Sequence, residues 1–145
     1  MKVLFDTNVL IAALVQGHEF HQRAYPWMVK AKKAEIGFYI SQHSLAEMYS
    51  ILTTLPVRPR ISPEIAKQMI RENMKPSRVV SLAPNDYRWC INQMAFHNLP
   101  GGAIYDSLIA RAALKSAADR LLTFDPEDFR RVLPEKYHEI ILVPS

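Results

Sequence analysis

KVLFDTNVLI, residues 2 to 11, is apolar up to Phe5, stops at Asp6-Thr7-Asn8 and becomes apolar again at once. KVLF has the length and composition of a short buried strand, so the acid stands directly at a strand end. In open α/β sheets that is where ligands bind, in the crevice outside the carboxyl ends of the strands. Aspartate is also among the best N-cap residues, and capping of the following helix is the simplest role for Asp6 alone.

Four more strand-sized apolar runs follow: IGFYI (36 to 40), RVVSL (78 to 82), RLLTF (120 to 124) and EIILV (139 to 143). Longer segments with helical spacing separate them. This alternation predicts an α/β fold, a doubly wound sheet of about five mainly parallel strands. The runs lack strict polar–apolar alternation, as expected when helices cover both faces. Helix starts are legible at Ser62-Pro63-Glu64, with Ser62 as N-cap and Pro63 in the first helical position, and at Asp125-Pro126-Glu127-Asp128. LPVRPRISP (55 to 63) reads as a basic surface connection, and Pro100-Gly101-Gly102 precedes another helical stretch.

A length of 145 residues with 49% apolar composition predicts one domain, residues 1–145, able to bury a core without staples. Eighteen lysines and arginines against 14 aspartates and glutamates leave +4, which tilts the expectation modestly towards a polyanionic partner. The one cysteine, Cys90, forms no internal disulfide and sits on the buried face of a helical stretch, which fits a cytoplasmic location. No apolar run approaches the roughly 20 residues of a membrane span.

Asp125 follows the fourth run as Asp6 follows the first, again as a candidate cap, with Asp128 three residues behind it. Asp106 is less easily explained. At 100° per residue it shares a helix face with Ala103, Ile109, Ala110 and Ala113, while Ser107, Arg111 and Lys115 mark a polar stripe on the other side. A carboxylate on an apolar face loses hydration and needs a cation, hydrogen bonds or a proton. Glu47, in SQHSLAEMYSILT (41 to 53), lies on a face with His43, Ser44, Ser50 and Thr54, off the apolar stripe, and by pattern is simply solvated.

Taken in order, the strand ending in Asp-Thr-Asn, the Leu-Ala-Glu of a mid-chain helix, GGAIYDSLIA and LLTFDPEDF resemble the PIN-domain ribonucleases over nearly the whole chain. The likeness is strongest to the single-domain VapC-type toxins of toxin–antitoxin modules. It implies an acidic core of Asp6, Glu47 and Asp106, with Asp125 as fourth member and Asp128 left to helix capping. Thr7, Asn8 and Thr123 match the accessory polar positions. The resemblance also implies an RNA substrate cleaved by hydrolysis rather than by the ribose 2′-hydroxyl, a homodimer, and a cognate antitoxin that directs an arginine or other cation at the carboxylates.

Like charges gathered in one crevice raise one another's pKa unless a cation separates them, so the cluster implies a metal. All-oxygen ligation suits Mg²⁺ or Mn²⁺ rather than zinc. Asp6, Asp106 and Asp125 are expected to hold the ion, Glu47 to hold it or to orient the attacking water, and the accessory hydroxyls and amide to fix the ligands. For phosphate contacts the candidates are Arg58, Arg60, Arg111 and Lys115. His18, His21 and the His43/Glu47 pair lack a third zinc ligand at recognisable spacing, and no Gly-rich phosphate loop occurs. A haloacid-dehalogenase-type phosphotransfer would need a second aspartate at position 8, where this chain has Asn8. A PIN-like module that only binds RNA or protein would have no use for acids at all four motif positions.

Overall fold

In the computed structural model, which describes residues 1–145, the chain alternates strands and helices. β1 (Lys2–Phe5) leads into α1 (Thr7–Leu14) and α2 (His21–Lys32), then β2 (Gly37–Ser41), α3 (Gln42–Thr54), α4 (Pro63–Met74) and β3 (Arg78–Val80). α5 (Pro84–Phe96), α6 (Ala103–Lys115), β4 (Arg120–Leu122), α7 (Pro126–Val132), a 3₁₀ turn over Glu135–Ile140 and β5 (Ile141–Leu142) complete it. The five strands form one sheet in the order β3-β2-β1-β4-β5, and every pairing is parallel.

Side chains along the strands alternate between two buried layers. Leu4, Tyr39 and Leu121 are in register across β1, β2 and β4 and share one core with Met94 of α5, Ile109 and Ala113 of α6, and Phe129 of α7. Val3, Phe5, Phe38, Ile40 and Leu122 point the other way, into a core with Val9 and Leu10 of α1, Met28 of α2, Met48 of α3 and Ala66 of α4. Both faces are therefore covered, which is why the runs are apolar throughout instead of alternating.

Four strands lie where the sequence places them, shifted or trimmed by a residue or two. The last is shorter than EIILV, because residues after Pro134 wind into the 3₁₀ turn and leave Ile141 and Leu142 to pair with Leu121 and Leu122. α4 starts as expected: Ser62 Oγ accepts from the Ile65 amide at 3.2 Å, with Pro63 at the first helical position. Gly101, at φ +66°, makes the turn into α6 in a conformation that strains any residue with a Cβ. No helix is long and apolar enough to cross a membrane.

The topology decides where a site can lie. From β1 the chain moves outward through β2 and β3 on one side, then returns to lay β4 and β5 on the other. Succession reverses between β1 and β4, so the connections leaving their carboxyl ends part in opposite directions and open a crevice. Asp6 and Thr123 are the first residues beyond those two ends.

Candidate active site

Asp6 is 7% exposed at the N-cap of α1. Its amide donates to Leu122 O at 2.9 Å, which extends the β1–β4 ladder by one step and fixes the backbone at the strand end. Its carboxylate accepts from the Thr7 amide at 2.7 Å on Oδ1 and from Thr123 Oγ at 2.8 Å on Oδ2. Two donors do not offset the lost hydration. Burial is the largest influence and, with repulsion from Asp106 and Glu47, raises the pKa to about 7 against the two hydrogen bonds.

The accessory residues tie separate elements together. Thr7 Oγ stands 2.8 Å from both Ser44 Oγ and Glu47 Oε1 on α3. A carboxylate only accepts, so the single Thr7 proton goes to Glu47 and Ser44 acts as donor to Thr7. His43 Nε2 lies 3.6 Å from the same Glu47 oxygen. Glu47 is thus held in the crevice rather than simply solvated. Asn8 Nδ2 donates to Asp125 Oδ2 at 2.9 Å, and Asn8 Oδ1 accepts from the Phe124 amide at 3.3 Å. Thr123 Oγ also accepts from the Asp125 amide at 2.9 Å, so one hydroxyl links Asp6 to the backbone that carries Asp125.

Asp106, in the first turn of α6, completes the ring of acids. Burial again leads in raising its pKa, to about 6, followed by the charges of Asp128 and Glu47; Arg131 opposes and Asp125 adds. Asp106 thus feels the charges of Glu47 and Asp125, and Asp6 those of Asp106 and Glu47, although the four come from separate segments of sequence. They remain apart as like charges do, with no three set as a closed ligand cage. The donor set fits a hard divalent ion: it is all oxygen, two members are short of compensating positive charge, and Mg²⁺ ordinarily takes only one or two carboxylates with waters and a substrate phosphate.

Three expectations need correction. Asp128 does not cap α7; its carboxylate accepts from Arg131 at 3.0 Å and it is the strongest of the charges acting on Asp106. Asp125 occupies the N-cap position without a capping bond, because Asn8 takes its carboxylate. The stripe of Ser107, Arg111 and Lys115 is not a plain solvated face, although Lys115 is exposed. Ser107 is fully buried, and Arg111 Nε and Lys115 Nζ grip Asp86 of α5 at 3.0 and 2.8 Å. Neither cation is free for a phosphate. Arg58 and Arg60 are exposed between α3 and α4 and make no ion pair. Ser44 and Arg131 were missed: Ser44 looks like any helix serine, and Arg131 reads as an ordinary last-turn cation.

Against known families, the model described as PIN domain matches residues 3–133. The chain belongs to the PIN domain family. It is 34% identical over 120 residues to ribonuclease VapC40 of Mycobacterium tuberculosis, covering 83% of this chain and 84% of that one. Ribonuclease VapC27 of the same organism is 32% identical over 114 residues, 79% of this PIN chain and 78% of its relative. Among solved structures, the VapBC2 assembly from Rickettsia felis bound to a promoter DNA fragment superposes with a TM-score of 0.69 over the full length of both chains. Identity there is 18%, so that likeness speaks for the PIN fold alone.

Proposed function

We propose that this PIN protein is an endoribonuclease that hydrolyses RNA phosphodiester bonds with Mg²⁺ or Mn²⁺, as the toxin of a toxin–antitoxin pair. One observation carries the reading: a buried carboxylate, Asp6, at the β1–β4 switch point, held by Thr7 and Thr123 and faced by Asp106 and Glu47, in a chain whose relatives are named ribonucleases.

Asp6, Asp106 and Asp125, with Glu47 beside them, would draw together around a divalent ion, which would supply Lewis-acid stabilisation of the phosphate and lower the pKa of water. The protein's own groups do the rest. Thr7 N–H and Thr123 O–H lock the rotamer of Asp6 so that its remaining lone pairs face the crevice, and Asn8 does the same for Asp125. Thr7 donates to Glu47 Oε1, which leaves Oε2 to orient the attacking water and accept its proton. Arg131, whose charge reaches Asp106, is paired with Asp128 and would meet the anionic backbone only by exchanging that partner.

The acid cluster invites cations, which is the chemistry of an inhibitor as well as of a cofactor. A cognate antitoxin that inserts an arginine among Asp6, Asp106 and Asp125 would compete with the metal. We assign the toxin to the cytoplasm, as a homodimer of chains that each act as one unit over residues 1–145.

Short RNAs incubated with the purified protein and Mg²⁺ or Mn²⁺ are expected to be cut; EDTA should stop cleavage, and added metal restore it. Unchanged cleavage in EDTA would refute the metal site. Thr123→Val removes the donor to Asp6 and the acceptor for the Asp125 amide, and activity should fall about 10- to 100-fold with weaker Mg²⁺ binding by calorimetry.

A further inference from the structure

The site's edge contains an aromatic pair. His43 and Tyr105 lie parallel, 1° between planes and 5.2 Å between ring centroids. His43 sits one helical turn before Glu47 on α3, and Tyr105 immediately precedes Asp106 on α6, so each ring is attached to an acid of the cluster. The His43 side chain is 21% exposed and its Nε2 approaches Glu47. Tyr105 is 52% exposed and stacks on His43. Beside them is a cavity of about 310 Å³ lined by His43, Ala46, Glu47, Ser50 and Tyr105. Ala46 and Ser50 are small and one turn apart on the same face of α3, which leaves a flat space against the rings.

We propose that the His43–Tyr105 pair is a stacking platform for one unpaired base of the substrate RNA, next to the scissile phosphate. This rests on the ribonuclease reading above and adds how the substrate is placed. Glu47 belongs both to the cavity wall and to the Thr7-linked carboxylate network. A base lying in the cavity therefore carries its sugar-phosphate towards the acids. Stacking is available to every base, since each has a π-face, and the base must be unstacked from its neighbours to enter. The platform accordingly selects single-stranded or loop RNA over duplex, and contributes affinity more than sequence preference. Tyr105 is the binding residue, and His43 positions it.

RNA hexamers with 2-aminopurine at one position in turn, titrated with the protein in metal-free buffer, test this without cleavage. One position should show strong quenching on binding. Tyr105→Ala should abolish that quenching and raise Kd about tenfold or more, while Tyr105→Trp restores both. With Mg²⁺ or Mn²⁺, an abasic nucleotide at the same position should raise KM as Tyr105→Ala does, and the two losses should not add. The platform is overturned if Tyr105→Ala leaves Kd and quenching unchanged, or if it lowers only the melting temperature, as a packing residue would. Quenching by wild type that Tyr105→Ala removes, without cleavage under either metal, would instead refute the nuclease reading and leave the platform standing.

Discussion

Asp6→Asn should lower RNA cleavage by on the order of 10²- to 10³-fold or more and, in the same protein, raise the melting temperature of the metal-free form. The first effect follows from removing the most buried carboxylate of the cluster at the switch point. The second follows from the cost of keeping that anion without a cation. Burial and the neighbouring acids raise the pKa of Asp6 from 3.8 to about 7. At pH 8 the charged group thus opposes folding by at most about 4 kcal/mol. Asparagine keeps the shape: its oxygen can accept from the Thr7 amide and its NH₂ can donate to Thr123 Oγ. For a chain of this size a gain of about 2 kcal/mol is a rise of about 4–8 °C.

The pH dependence has a definite sign. A carboxyl whose folded pKa is raised contributes stability that is complete below about pH 3.8 and is lost as pH rises through about 7. Wild type without metal should therefore weaken between pH 4 and 7, and Asp6→Asn should weaken less. The two should converge near pH 4. Asp106, raised to about 6, adds a slope of the same sign in both proteins. Mg²⁺ should stabilise wild type at pH 8 and hardly affect the variant. Scanning calorimetry across pH with and without Mg²⁺ measures all of this; a lower melting temperature for Asp6→Asn at pH 8 would show that the carboxylate is chiefly a structural hydrogen-bond hub.

Asp86→Ala should destabilise the fold by about 1–2 kcal/mol, with cleavage retained at temperatures where the variant is folded. Asp86 is 7% exposed and accepts from Lys115, Arg111 and the Ala83 amide, so one carboxylate joins α5 to α6 and caps α5. Lys115 leads in holding its carboxyl down at about 2, with the Ala83 amide next and Arg111 behind. Its contribution has the opposite sign from that of Asp6: present above about pH 3.8, lost as pH falls through about 2. The alanine variant leaves two part-exposed cations without their shared acceptor, Arg111 remaining stacked on Trp89 at 4.6 Å. Urea unfolding at pH 7 should show the deficit, and at pH 2 most of it should vanish. A loss below 1 kcal/mol at pH 7 would mean that the α5–α6 packing needs no ionic link.

The two pH slopes also locate the optimum. Summed over Asp6, Asp106 and Asp86, stability of the metal-free protein is greatest near pH 4, where the crevice acids are protonated in the fold and Asp86 is still ionised. The functional site destabilises the fold at working pH, and the α5–α6 ion pairs help to offset it.

Local chemistry was enough to read the central strands, because a strand buried on both faces is apolar at successive positions. Ser62-Pro63 likewise marked the start of α4 by capping geometry alone, and Asp6 and Asp125 were conspicuous as acids at strand ends. Glu47 carried no such mark. Its periodicity is that of a surface residue, and only the Thr7 hydroxyl, forty positions away, draws it into the crevice. Asp128 was misassigned because position in a helix predicts a cap as readily as a contact with another helix.

Asp86 and the Ser107, Arg111, Lys115 stripe show the same limit from the other side, since a polar stripe looks identical whether water or an opposite charge covers it. The positions of the strands along the chain and the acidic motifs were thus determined by residues acting on their immediate neighbours. Which carboxylates meet a hydroxyl, a cation or each other was decided only when the sheet closed between β1 and β4, because electrostatic and hydrogen-bonding energies depend on separation in space, which spacing along the chain does not encode.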